Sequence, residues 1–417
     1  MRIACLVLLA ALPAAAAGLR AAAAKVDITP HTPQWLMGYQ ARKSTGVHDP
    51  IYHRVLVLEN AGTEFVLVAS DLTLFSPSVY DDAGAELERT IAIPRTNFWW
   101  SVTHTHAAPE VGPPGVYKAL LGRSDHEWDR EYADFVKQAL VRAVRDAHEH
   151  LQPARIAFGQ GTAVANINRR AKDVDGTVSL GLNPDGPADR QIGLIRVERT
   201  DGAAIALVAN YAIHGTVMNG QNLQISGDAP GVVSAYLEEK TGATVLFVNG
   251  AAGNLAPIYS VYPNAKSGHL SQFRVLLGDR VLAALRDLGS GTADVKLSVS
   301  DKTVITPRRD GLEWPSELAR YAAADGAVKL PVRFLRIGDT VIWSAPVELF
   351  CEIAMAVREA SPFAHTFYFG YTNGWLGYLP TAKAFEEGGY EPKTSVVTER
   401  AEADLRDAAV DALEKMR

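Results

Sequence analysis

Short apolar runs rich in Val, Ile and Phe recur along the chain, and helical patterns separate them. This alternation limits the fold more than any other feature, because runs of four to eight such residues fit strands and longer 3.6-periodic stretches fit helices. Strands are predicted at 55–58, 65–70, 98–103, 192–197, 205–211, 244–248, 332–337, 341–344 and 366–371. An amphipathic helix is predicted over 129–150, with Tyr132, Phe135, Val136, Leu140, Val144 and Ala147 on one face. A second begins at Asp228, read as its N-cap with Pro230 close behind, and stops before Gly242. A third spans 399–416. The expected fold is α/β: layered mixed β-sheets flanked by helices, in a single domain over 23–417. No internal repeat or low-complexity stretch divides it, and clusters such as 183–187 mark loops.

Hydrophobic residues form 47% of the 417 and charged residues 21%, as in a globular protein with a large core. The formal net charge of -6 argues against nucleic acid or an anionic membrane surface as the main partner. At the N-terminus, Arg2 precedes an apolar run from Ile3 to Leu12 and a small-residue stretch from Pro13 to Gly18. This is the pattern of an export signal, taken as about 1–22, with cleavage near Ala15 to Ala17 or Ala21 to Ala24. A membrane anchor is the alternative, and the run is short for one. The protein is therefore expected to be secreted or periplasmic. Loss of the signal removes Cys5 and leaves Cys351 as the single cysteine, read as a buried small hydrophobe. No later stretch suits a transmembrane helix.

The polar residues with chemical potential sit where strands end: Asp71, His104, His106, His214 and Asn249. In α/β sheets, sites form at the carboxyl ends of strands. The strand at 98–103 runs into Thr103-His104-Thr105-His106, and residues two apart on an extended chain face one side. The two imidazoles can then share a pocket as metal ligands. Taken alone, the pair reads equally as exposed or satisfied histidines. His214 follows a strand of its own. Glu348, set between apolar residues after another strand, would be costly to bury without a cation, although a helix N-terminus would also accommodate it.

Taken together, several segments resemble the N-terminal catalytic domain of neutral/alkaline non-lysosomal ceramidases. They are Val26-Asp-Ile-Thr-Pro30, Met37-Gly-Tyr39, Gly46-Val-His-Asp49, Ser70-Asp-Leu72, Thr103-His-Thr-His106, Asn166-Ile-Asn-Arg169, Ala212-Ile-His214, Ile225-Ser-Gly-Asp228, Gly250-Ala-Ala-Gly-Asn254, Pro346-Val-Glu348 and 373–390. The resemblance implies a Zn2+ held by His104, His214, Glu348 and Tyr378, with His106, Arg169 and Tyr390 in catalytic roles. It further implies that a metal-activated water cleaves the amide of a small N-acyl substrate, sphingolipid-like or smaller. Two departures stand out. The family's serine in Gly-Asp-x-Ser-Pro is Ala256 in Gly253-Asn-Leu-Ala-Pro257, so no acyl-serine can form there. The family also continues into an immunoglobulin-like domain for which this chain has no room, so specificity for long-chain ceramide is not expected.

Asp71 and Asp228 are candidates to orient the ligand imidazoles. The competing readings are a metal-dependent esterase, phosphoesterase or glycoside-acting hydrolase on the same scaffold, or a non-catalytic ligand-binding relative. A serine hydrolase finds no G-x-S-x-G elbow. Trp35, Trp99, Trp100, Trp343 and Trp375 are read as core more readily than as pocket. The oligomeric state is not readable.

Overall fold

The computed structural model describes residues 18–122, 126–258, 260 and 270–417. Residues 1–17, most of the expected export signal, lie outside the described residues. The expectation of strands holds for every run named above, in mixed sheets with helices on the outside. An eight-stranded sheet runs in the order Thr244–Asn249, Ala204–Tyr211, Gln191–Arg199, Gln152–Thr162, Arg20–Asp27, Tyr52–Asn60, Thr63–Ser70, Phe98–Val102. Its interior pairs are antiparallel, while the outermost pair at each edge is parallel. A second sheet is built from Leu297–Thr306, Val328–Ile337, Thr340–Ser344 and His365–Phe369.

The eight-stranded sheet curls so that its two edges meet. Leu246 and Val248 from one edge share a core with Leu67 and Trp99 from the other, and with Leu335, Ile342 and Phe367 of the second sheet. Trp99, Trp100 and Trp343 are fully buried, as expected of core residues. Helices Pro77–Ile91 and Arg130–Glu149 cover one outer face, Asp228–Thr241 and Asp279–Arg286 another, and Ala401–Lys415 packs on the second sheet.

Arg130–Glu149 starts where its cap residue predicts: the Asp129 carboxylate accepts from Tyr132 N, a bond of the kind that stabilises a helix by about 1 kcal/mol. Its inner face holds Tyr132, Val136, Leu140, Val144 and Ala147, but Phe135 is exposed, one position off the buried stripe. The second helix differs at its start. Gly227 occupies the N-cap, and Asp228 sits at φ 52° with its carboxylate turned back onto Val217 N and Met218 N. Five strands of six or more residues were not predicted: Arg20–Asp27, Gln152–Thr162, Asn166–Lys172, Val178–Asn183 and Leu297–Thr306. The first is an alanine run whose opening residues overlap the expected signal, and its small side chains let Arg130–Glu149 lie close upon it. The others alternate polar residues with apolar ones, which weakens the apolar-run signal.

Candidate metal centre

The chain leaves the strand Phe98–Val102 and turns sharply at His104, which has φ 62°, a left-handed conformation unusual for a residue with a side chain. On the other side of the closure, the strand Ala204–Tyr211, one in from the opposite edge, ends just before His214. A short parallel bridge, Thr105 to Gly215, ties the two exits together, with His106 N donating to Gly215 O at 2.8 Å. Gly215 is required there, because a Cβ would stand 2.6 Å from Thr105 Cα. Asn249 clamps the same junction: its amide donates to Ile213 O and Thr103 O, and its oxygen accepts from Ile213 N. Closure of the sheet edges therefore places the histidines side by side.

Backbone carbonyls fix both ring orientations. His104 Nδ1 donates to Thr73 O at 2.8 Å and His214 Nδ1 to Leu255 O at 2.9 Å. Each Nε2 is thereby left to face inward, the arrangement seen for ligating histidines. For His214 the tautomer is determined twice, since Arg169 Nη1 can only donate and lies 2.9 Å from Nε2. Burial first, then Arg169, pushes the His214 pKa down to about 3, so the ring is neutral at physiological pH.

Glu348 Oε2 lies 3.3 Å from His104 Nε2 and 3.2 Å from His214 Nε2. All three side chains are at most 2% exposed. Neutral imidazole nitrogens and a carboxylate so placed direct lone pairs at a common point. A tetrahedral site with bonds of about 2.0–2.1 Å has edges of about 3.3 Å, so these donors fit zinc.

Glu348 lies in the strand Glu348–Leu349, paired in register with Tyr378–Leu379, so Glu348 and Tyr378 are direct neighbours. The Tyr378 hydroxyl accepts from Arg169 Nη2 at 3.0 Å. Burial raises its pKa well above the usual phenol value, with Arg169 working the other way.

His106 stands at the mouth of this cluster. Its Nε2 is 3.1 Å from His104 Nε2, so His104, His106 and His214 also form a three-histidine group able to hold an ion. Its Nδ1, however, has no hydrogen-bond partner among the described residues and lies against Gly38. Burial and the neighbouring His104 and His214 hold its pKa well below the ordinary value. The loss of a carbonyl anchor distinguishes it from the other two histidines.

Arg169, on the strand Asn166–Lys172, is 7% exposed and donates to four partners: Glu391 through Nε, His214 through Nη1, and Gly253 O and Tyr378 through Nη2. Burial opposes its charge, but Tyr378, Glu391 and Glu348 more than offset this and hold its pKa well above the ordinary value. Arg170 is also buried and shares Glu391. Sequence reasoning missed Glu391, since a carboxylate beside Tyr390 carries no local signal of two arginines more than 200 residues away.

Above the cluster opens a cleft of about 920 Å³ lined by His106, Arg169, Tyr378 and Tyr390, with Tyr39, Tyr117, Leu121 and Leu180 on its walls. Ala256 lines it too, and the same segment still serves the site through its backbone, since Gly253 O holds Arg169 and Leu255 O holds His214. Asp71 and Asp228 touch no imidazole. Asp71 forms a buried ion pair with Arg54 at 2.7 Å and accepts from Tyr52 N; Asp228 serves the loop after His214.

The family described as neutral/alkaline non-lysosomal ceramidase, N-terminal, matches residues 20–262. The neutral ceramidase of Pseudomonas aeruginosa is 24% identical to the chain, over 98% of it and 74% of that protein. Neutral ceramidase A of Dictyostelium discoideum is 30% identical, over 51% of the chain and 31% of its own length. The crystal structure of the Pseudomonas aeruginosa enzyme superimposes with a TM-score of 0.78 at 20% identity, covering 96% of this chain and 74% of that one. A structure of a ceramidase complexed with C2 gives 0.77, over 96% of this chain and 76% of that one. The chain belongs to the neutral/alkaline non-lysosomal ceramidase family.

Proposed function

We propose that this protein is a zinc-dependent amidohydrolase that cleaves the N-acyl bond of a sphingolipid-like or smaller substrate. The observation that carries the reading is that Glu348 Oε2 lies within 3.3 Å of both His104 Nε2 and His214 Nε2, next to His106 and Tyr378, which line the cleft. With Tyr378 beside Glu348, these residues would hold the ion. When bound, zinc supplies a Lewis acid that polarises a carbonyl and brings the pKa of water to about 7.

The chain's own groups do the rest. Arg169, held protonated and anchored by Glu391, faces the cleft beside Tyr390 and stabilises charge on the substrate's carbonyl oxygen. His106 faces the same space and carries a proton to the leaving nitrogen. Aromatic and leucine walls take the acyl portion and keep the amide away from bulk water. None of these roles needs a hydroxyl at position 256. Family membership supports amide chemistry over the esterase, phosphoesterase and glycoside readings. On the N-terminal pattern we place the protein outside the cytoplasm, secreted or periplasmic; no helix among the described residues is long and apolar enough to cross a membrane.

The test is metal analysis of the purified chain combined with hydrolysis of an N-acyl panel, from ceramide to N-acyl amino acids. Stoichiometric zinc is expected, with activity abolished by a chelator and restored by zinc, and with both metal and activity lost in His104→Ala and His214→Ala. Undiminished hydrolysis after verified metal removal would sink the proposal.

A further inference from the structure

Both oxygens of Glu348 are held by one short turn. Tyr371, Asn373 and Gly374 lie at φ 53°, 67° and 114°, and side-chain-bearing residues adopt this region only when their surroundings impose it. Here they do. Asn373 N donates to Trp100 O and Asn373 Oδ1 accepts from Trp100 N, both at 2.8 Å. The Thr372 hydroxyl meets Ser101 at 2.6 Å, and a Cβ on Gly374 would stand 2.6 Å from Pro77 Cα. The turn is thus locked to the strand that delivers His104. From it, Trp375 Nε1 donates to Glu348 Oε1 at 2.9 Å, and the Tyr371 hydroxyl reaches Oε2 at 3.4 Å. The Tyr371 ring also stacks on His104, with centroids 4.1 Å apart.

We propose that Trp375 is a positioning residue that makes Glu348 a one-oxygen metal ligand, by engaging Oε1 and leaving Oε2 to face His104 and His214. The inference rests on the metal-centre reading given above. A carboxylate free to rotate can offer both oxygens, which suits larger cations of higher coordination number, whereas a zinc that keeps a position open for water takes one atom from each protein ligand. The indole N–H only donates and does not titrate, so the lock holds at any working pH. Tyr371, with a longer bond to the oxygen the histidines share, steadies the carboxylate without restricting its second oxygen. Trp375 is 3% exposed and packs near Tyr117, so it touches the cleft wall but not the cleft itself.

Trp375→Phe keeps an aromatic ring in place and removes the N–H. On the full chain, zinc affinity is measured by competition with a chromophoric chelator, and the visible spectrum is recorded after substitution with Co2+. Zinc affinity is expected to fall 10–100-fold, the range for loss of a partner that orients a ligand. The Co2+ bands should weaken as the second Glu348 oxygen adds a ligand, with the apoprotein melting close to wild type. If the variant does not fold, the wild-type Co2+ spectrum decides, because six-coordinate bands there would overturn the proposal. Normal zinc uptake with an indifferent Trp375→Phe overturns this inference alone. Failure of the wild type to take up either metal overturns the metal reading as well.

Discussion

Gly38→Ala separates the two roles open to His106. A Cβ at Gly38 would stand 2.5 Å from His106 Nδ1 and 2.6 Å from Cγ. Ordinary contact begins at about 3.5 Å, so the imidazole must withdraw by about 1 Å. Misplacing a positioned group by that distance costs on the order of 10²-fold in rate. Gly38 also lies at φ 101°, so alanine adds backbone strain of about 1–3 kcal/mol and lowers the melting temperature by several degrees. No side chain assigned to the ion contacts Gly38: the nearest atoms to its added Cβ all belong to His106. The expected outcome is a fall in kcat/KM of about 100-fold with zinc content unchanged. Hydrolysis, metal analysis and a melting curve on one preparation read all three quantities. A parallel loss of zinc would make His106 a ligand, as the three-histidine grouping allows. Full activity in a folded, zinc-replete variant would refute its part in proton transfer.

Two further outcomes follow from buried charges. His53, fully buried between Ser70 and the Val136 carbonyl, has its pKa lowered by burial to about 4. A depressed histidine stabilises the fold above the unfolded value of about 6.5, and that contribution is lost as pH falls from there towards 4, by about 3 kcal/mol in all. Urea midpoints from pH 7 to pH 4.5 should show the decline, and His53→Gln should flatten it; an equally steep profile in the variant would place the effect elsewhere. Asp71→Ala leaves Arg54 buried with only Glu238, at 2.8 Å, which puts the destabilisation at the low end of the range for a broken buried pair, about 3 kcal/mol. Thermal melts should register this with zinc content and KM intact, whereas zinc loss at unchanged stability would return Asp71 to the metal site.

The elements most legible from the residues were those whose side chains are apolar on both faces. Thr63–Ser70, Ala204–Tyr211 and Thr244–Asn249 are buried along almost their whole length, and continuous apolar runs betray them. Leu297–Thr306 shows one face to solvent, and its Ser, Asp and Lys residues mask it. Arg20–Asp27 was hidden by composition, because alanine carries no strand preference and only its pairing with Tyr52–Asn60 and Gln152–Thr162 makes it a strand.

The histidines were found for a local reason: each follows its own apolar strand, and strand ends in layered α/β folds point to sites. The carboxylates could not be sorted that way. Asp71, Asp228, Glu348 and Glu391 are all essentially buried, and each side chain's meaning is set by what it faces: Arg54, two loop amides, two imidazoles or two arginines. Local pattern thus determined the strands of continuous apolar residues, the approximate bounds of three helices, and the candidate status of His104, His106 and His214. Tertiary structure alone decided that the sheet edges close, that Trp375 and Tyr371 grip Glu348, and that Glu391 anchors Arg169. The physical reason is range: periodicity and caps act over a few residues, whereas a buried charge is stabilised by partners that chain closure brings from hundreds of residues away.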